Sequence, residues 1–269
     1  MTIFTGYTGE MGGQLSYRLI EQAPAVQLSY RLQRHSRVDP VFDRWEQMLS
    51  LGWGNILKYT YKLKQFDDSM TRREDFQLVS FYQHQFNFHL RLKLWQMLLA
   101  RLSYQLAFQG YEDNLNVLVR SVAELKKAGT RLDQHHQLSF RVPYLVTNQF
   151  IIQPEVTYHR NRGNVPFYHF SISEGRLVTF YRFQEKRLVQ LMTAWRKLRF
   201  PHRQTGNDNR FRQDLQLRLE GKFRWKLTDR LTLTADYHRY QNRTNETALR
   251  LSFLNFEQNW CWVTIEYAN

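Results

Sequence analysis

The sequence predicts an all-β fold, a transmembrane antiparallel up-and-down β-barrel of roughly 14–16 strands. Three observations carry that expectation. Apolar and polar residues alternate with period two along many long runs. Short clusters of Asp, Asn, Gly and Ser punctuate those runs. And no stretch approaches the ~18 uncharged apolar residues that a membrane helix needs.

The elements follow in chain order. Gln-Leu-Ser-Tyr-Arg-Leu occurs at 14–19 and again at 27–32, flanking Glu21-Gln22-Ala23-Pro24, which reads as the turn of a hairpin. A near copy stands at 102–106. Leu57, Tyr59, Tyr61 and Leu63 alternate with Lys58, Thr60, Lys62 and Lys64, and Asp67-Asp68-Ser69 closes that run. From Phe76 to Gly110 there is no Gly, Pro or Asp before the final residue. One strand of that length is implausible, so a turn is expected near Trp95 to Leu99. Within this stretch Gln85, Asn87, His89, Arg91 and Lys93 oppose Phe86, Phe88, Leu90, Leu92 and Leu94.

Turn chemistry returns at Glu112-Asp113-Asn114, and the run from Leu115 to Leu125 is the one segment with a helical alternative. Phe150, Ile152, Val156 and Tyr158 share a face opposite Gln149, Gln153, Glu155, Thr157 and His159. Further turns are expected at Asn161–Asn164, Ser173-Glu174-Gly175, Gly206–Asn209, Thr228-Asp229-Arg230 and Gln241-Asn242-Arg243. The cleanest alternation runs from Arg210 to Leu227. Phe211, Leu215, Leu217, Leu219, Phe223 and Trp225 face one way; Arg212, Asp214, Gln216, Arg218, Glu220, Lys222 and Arg224 face the other. With no linker or composition break, residues 1–269 are expected to form a single β-barrel domain.

A mean hydropathy of −0.60 does not argue against a membrane. A barrel wall alternates lipid-facing and lumen-facing residues, so its average stays polar. A soluble sandwich also alternates. Its strands, however, average about 5–6 residues, while a membrane strand needs ~9–11. Trp53, Trp95, Trp195, Trp225, Tyr240, Trp260 and Trp262 recur near run ends, as interfacial girdles require.

With 38 Lys and Arg against 24 Asp and Glu, the chain carries +14. If the apolar face meets lipid, the cations line the lumen. The candidate anion-binding residues are Arg18, Arg31, Lys58, Lys62, Arg91, Lys93, Arg141, Arg212, Arg218, Lys222, Arg224 and Arg250. Glu155, Asp214, Glu220 and Asp236 are the fewer acids expected to pair with them.

Chemistry is otherwise sparse. No Walker loop, dinucleotide fingerprint or zinc motif is present, so no cofactor, metal or catalytic residue is expected. Cys261 is the single cysteine and forms no intrachain disulfide. His135 and His136 are adjacent, and adjacent strand residues point to opposite faces. Asp236 and His238 share a face and are the one candidate acid–base pair of a barrel hydrolase.

These alternating runs, the tight turn at 227–231 and the aromatic run ends resemble Gram-negative outer-membrane porins and exporters. The resemblance covers the whole chain as a pattern, without a specific family motif. It implies an outer-membrane location and a mature chain, since no signal peptide follows Met1. A basic lumen is similar to that of channels for acidic oligosaccharides and of anionic-polysaccharide exporters. The implied partners are membrane lipid, an anionic solute or acidic glycan, and a periplasmic or extracellular protein, with no nucleic acid. Two alternatives stand beside it: an outer-membrane barrel hydrolase, and a soluble β-rich protein binding nucleic acid or another polyanion.

Overall fold

The computed structural model of the chain describes residues 6–17, 24–37, 44–66, 81–95, 98–111, 131–183, 186–205, 211–245 and 254–267. The described secondary structure is almost entirely strand, with a short 3-10 turn at Pro166–Tyr168. The strands are β1 (Gly6–Tyr17), β2 (Val26–Arg37), β3 (Arg44–Trp53), β4 (Leu57–Phe66), β5 (Phe81–Trp95), β6 (Leu98–Tyr111) and β7 (Leu132–Arg141). Then come β8 (Tyr144–Thr147), β9 (Phe150–Gly163), β10 (Phe170–Phe183), β11 (Arg187–Gln204), β12 (Phe211–Lys226), β13 (Leu231–Thr244) and β14 (Phe256–Tyr267).

Neighbours in the sheet follow sequence order, with the short β8 inserted beside β6 and β9. The fold is therefore all-β, antiparallel and up-and-down, with fourteen strands. Most strands are ten residues or longer, the length that sets membrane strands apart from the shorter strands of soluble sheets.

The described parts of the repeated hexapeptides pair as antiparallel neighbours: Leu15 stands opposite Leu28 and Gln14 opposite Ser29. In the glycine-free stretch β5 ends at Trp95 and β6 begins at Leu98, so the break between two strands falls within the span expected for it, and residues 96–97 themselves lie outside the described residues. The segment with a helical alternative, Leu115 to Leu125, lies outside the described residues, as do the expected turns at 21–23, 67–69, 112–114 and 206–209.

Two expected turns are corrected. Ser173-Glu174-Gly175 lies inside β10 and Gln241-Asn242-Arg243 inside β13. In each, side chains that favour turns find partners beyond the tripeptide instead. Glu174 accepts from Arg176 and Arg196, and Asn242 Nδ2 donates to the Leu254 carbonyl. The expected turn at 161–164 also comes later, since β9 runs on to Gly163.

The tight connections have local causes. Gly54 takes φ +54° between β3 and β4, and a Cβ there would come within 2.7 Å of Pro24. The Thr228 hydroxyl accepts from the Arg230 and Leu231 amides, at 3.3 and 3.0 Å. Thr147 repeats the device between β8 and β9. Lys226 donates to Asp229 at 2.9 Å and holds that exposed carboxyl below its usual range. Pro201, which has no amide to give to a ladder, sits where the register of β11 against β12 shifts, between Phe200 and Gln204.

The chain forms two compact units. One comprises Met1–His89, Tyr104–His136 and Asn161–His169; the other comprises Leu90–Ser103, Gln137–Arg160 and Phe170–Asn269. Burial in both is inverted relative to a water-soluble protein. The buried apolar side chains among the described residues are Ala100, Ala107, Val165, Val178, Ala194 and Phe200, three of them alanines. Buried polar ones are more numerous and include Asp133, Glu155, Asn161, Glu174, Asp214 and Asp236. Large apolar side chains lie outside, from Leu49 and Phe86 in the first unit to Leu191 and Val263 in the second.

The first unit has its own polar node. Arg131 pairs with Asp133, and its guanidinium lies 4.2 Å from the Tyr111 ring and 3.6 Å from that of Tyr168. Asn161, 1% exposed, donates to the Tyr168 carbonyl at 3.0 Å. A Cβ at Gly163 would stand 2.4 Å from Asp133 Oδ1, so only glycine lets β9 pass this carboxylate.

Candidate functional site

Register fixes which side chains share a face, because successive residues of a strand alternate sides. Across β10 to β14 the partners keep the same parity, so even-numbered residues lie on one face. One row across this face reads Arg176, Ala194, Arg218, Tyr240, Gln258. Another reads Glu174, Arg196, Gln216, Asn242, Phe256. Two more rows hold Glu220, His238 and Trp260, then Lys222, Asp236 and Trp262. Odd-numbered residues, including Leu191, Leu215, Tyr237 and Val263, take the apolar face.

On the polar face of the second unit a ladder of alternating charge runs through Arg141, Glu155, Arg176, Glu174 and Arg196. Its links measure 2.9, 3.7, 2.9 and 2.6 Å. Both carboxylates are 8% exposed, whereas the arginines are 33–42% exposed. Each carboxylate is held between two guanidinium groups, which offsets the cost of burying its charge. The ladder begins and ends on arginine, so its five groups sum to one positive charge.

Ala194 sits between Arg176 and Arg218 in its row. Its small side chain leaves a cavity of about 60 Å³ lined by Glu174, Arg176, Arg196, Gln216, Arg218 and Tyr240. Beyond it, Arg218 pairs with Glu220, which also meets His238 at 3.2 Å. Lys222 stands 3.8 Å from Asp236, and Arg212 is 2.7 Å from Asp214. All four acids expected to pair with cations do so.

In the first unit β2 to β5 form a similar polar face. Arg31 pairs with Glu10 at 3.1 Å, and Lys62 with Glu46 at 3.4 Å. Lys58, Thr60 and Lys62 stand opposite Asn87, Gln85 and Gln83. Lys58, Arg91, Lys93 and Arg224 have no carboxylate partner among the described residues; Arg18 and Arg250 lie outside them.

Several site residues escaped the sequence reading. Arg176, Arg196 and Glu174 were lost because 173–175 reads as a turn, which breaks the phase of β10. Trp260, Trp262 and Tyr240 were assigned to interfacial girdles, and the register corrects this. They share the polar face with His238, whose ring lies 5.5 and 4.7 Å from the two indoles, nearly parallel to both. Trp53, Trp195 and Trp225 do take the apolar face. An even-odd count anchored on Asp236 finds the tryptophans, since 236, 260 and 262 share parity through the pairing.

The hydrolase pair is not formed as a couple. Asp236 turns to Lys222 and His238 to Glu220, and no serine, threonine or cysteine lines the cavity of about 350 Å³ beside them. His136 meets the Tyr104 hydroxyl at 2.7 Å, and no cluster of metal-ligating side chains occurs among the described residues.

Fold and faces thus define an antiparallel up-and-down β protein with an apolar exterior face and a charged opposite face. No family model matches the sequence, and no curated protein matches it. Solved structures similar in fold include the NanC porin, at 12% identity over 84% of this chain and 94% of that one, TM-score 0.38. OmpT, an outer membrane protein of Vibrio cholerae, is 9% identical over 99% of this chain and 97% of its own, TM-score 0.40. Its loop L8 deletion mutant is 8% identical over 98% and 99%, TM-score 0.42.

Proposed function

We propose that the chain closes as a single β-barrel in an outer membrane and conducts anionic solutes, acidic oligosaccharides or polysaccharides among them. The observation that carries this reading is the inverted burial: Asp214 is 4% exposed, while Leu215, the next residue on β12, is 41% exposed. In water such a surface is an aggregation liability. In a bilayer it is the expected lipid face, and the polar face then surrounds an aqueous path.

The ladder ending on arginines, together with Lys58, Arg91, Lys93 and Arg224, supports an excess of positive potential along that path. Such a potential concentrates anions and excludes cations. Arg176, Arg196 and Arg218 around the Ala194 gap present guanidinium forks suited to carboxylate or sulfate groups on a passing glycan. The exposed apolar face also disfavours a soluble polyanion-binding protein.

The reading is tested by the reversal potential of the purified chain in a planar bilayer of zwitterionic lipid under a salt gradient. Anion selectivity is expected, weakened by Arg176→Gln with Arg196→Gln. Cation selectivity would overturn it.

A further inference from the structure

The adjoining ends of β10 and β11 and the turn at 227–230 border a cleft of about 610 Å³ in the second unit. Six cations line it: Arg182, Lys186, Arg187, Arg224, Lys226 and Arg230, against Asp229 and Glu266. Lys226 is engaged by Asp229 at 2.9 Å. Lys186 also acts on the Asp229 carboxylate, while Arg182, Arg224 and Arg230 have no carboxylate within ion-pair distance among the described residues. So many like charges around one opening repel one another unless an anion sits among them.

The cleft sits at the strand ends, where Arg182, Arg224, Thr232 and Glu266 of the polar face meet Arg187 and Tyr267 of the apolar face. Arg187 and Trp225 are register partners on that face, with the guanidinium 4.6 Å from the indole ring. Tyr267, which lines the cleft, lies on the same face and is 65% exposed, opposite Leu231. A cation stacked on an interfacial tryptophan, with a tyrosine beside a basic opening, is the arrangement that meets a lipid at its headgroup.

We propose that this cleft binds the phosphate of an anionic phospholipid headgroup, with the acyl chains lying along the aromatic edge formed by Trp225 and Tyr267. The proposal rests on the membrane reading above, because it needs the apolar face to meet lipid. It does not depend on what passes through the pore. Short turns mark the periplasmic end of outer-membrane barrels, so the lipid belongs to the inner leaflet.

The test is intact-complex mass spectrometry of the delipidated full-length chain in zwitterionic detergent. The probes are dioleoylphosphatidylglycerol, dioleoylphosphatidylcholine and inorganic phosphate. The native chain is expected to retain the phosphatidylglycerol in preference to the phosphatidylcholine, and inorganic phosphate is not expected to displace it. Combining Lys186→Gln, Arg187→Gln and Arg230→Gln should weaken retention by at least about tenfold, since each cation near an anionic surface contributes to binding. A second variant, Lys186→Arg with Arg187→Lys and Arg230→Lys, keeps the charge and should stay within about threefold of the native chain, which separates lost charge from lost folding. Equal retention of both lipids, retention unchanged in the Gln variant, or displacement by inorganic phosphate as from a general anion site would each overturn the proposal. The reversal potential in zwitterionic bilayers is read separately, so failure of the pore reading and failure of the lipid site are distinguishable.

Discussion

The polar faces of β2–β5 and of β9–β12 are built on the same alternation, yet they hold their charge differently. On β9 to β11, Glu155 and Glu174 are nearly buried and each is shared by two arginines. On β1 and β2, the Arg31–Glu10 pair is about half exposed on both sides, and on β4 Lys58 has no acid among the described residues. Exposed pairs add ~0–1 kcal/mol, whereas breaking a buried pair strands a charge and costs several times more. The ladder therefore braces its wall, as the Arg44–Glu46–Lys62 cluster does on β3 and β4, while exposed cations such as Arg31 and Lys58 act mainly through their field. Bracing and selectivity are carried by different residues of one face pattern.

The largest expected effect tests the face opposite both regions. Leu191→Arg puts a charge on the apolar side of β11, where Leu191 is 55% exposed. In a bilayer it should cost about 2–4 kcal/mol at mid-depth, read by denaturant unfolding from lipid vesicles. A cost within about 0.5 kcal/mol, as for an exposed site in water, would break the account.

Glu174→Gln comes next. It leaves Arg196 and half of the Arg176 pairing without an anion. Because those arginines are 42% and 33% exposed, solvent screens part of the loss, and about 1–3 kcal/mol is expected rather than the full buried-pair penalty. The same variant should sharpen anion selectivity in the reversal-potential measurement. A change equal to that of Glu10→Gln would erase the difference between the two regions.

How much of this was legible in the sequence depended on phase. From Arg210 to Leu227 only Gln213 and Gly221 interrupt the apolar set, and the register puts Arg212, Arg218, Lys222 and Arg224 on one face. At 173–175 and 241–243 the local chemistry of Ser, Glu, Gly and Asn reads as a turn, but partners outside the tripeptide absorb it and the strands continue. Pairing across strands has no local signature, so the ladder was invisible even though Glu155 and Arg141 had each been singled out. The break between Trp95 and Leu98 follows from chain length alone, since no Gly, Pro or Asp marks it.

Two smaller effects sharpen the contrast. Thr228→Ala removes a hydroxyl that accepts from two turn amides and should cost about 0.5–1.5 kcal/mol, checked by unfolding and by refolding yield. Lys58→Gln should leave stability within about 0.5 kcal/mol while still lowering anion selectivity, because its charge is exposed and unpaired. A larger stability loss at Lys58 than at Glu174 would reverse the assignment of the two faces.

The most direct test of the central claim is thiol accessibility along β12 in lipid vesicles. Single cysteines are placed at 215 through 222 in a Cys261→Ser background and treated with a water-soluble, membrane-impermeant maleimide. The account predicts a period of two: even positions such as Gln216, Arg218 and Glu220 react, while Leu215, Leu217 and Leu219 are protected by lipid. Odd positions reacting as fast as even ones would contradict it.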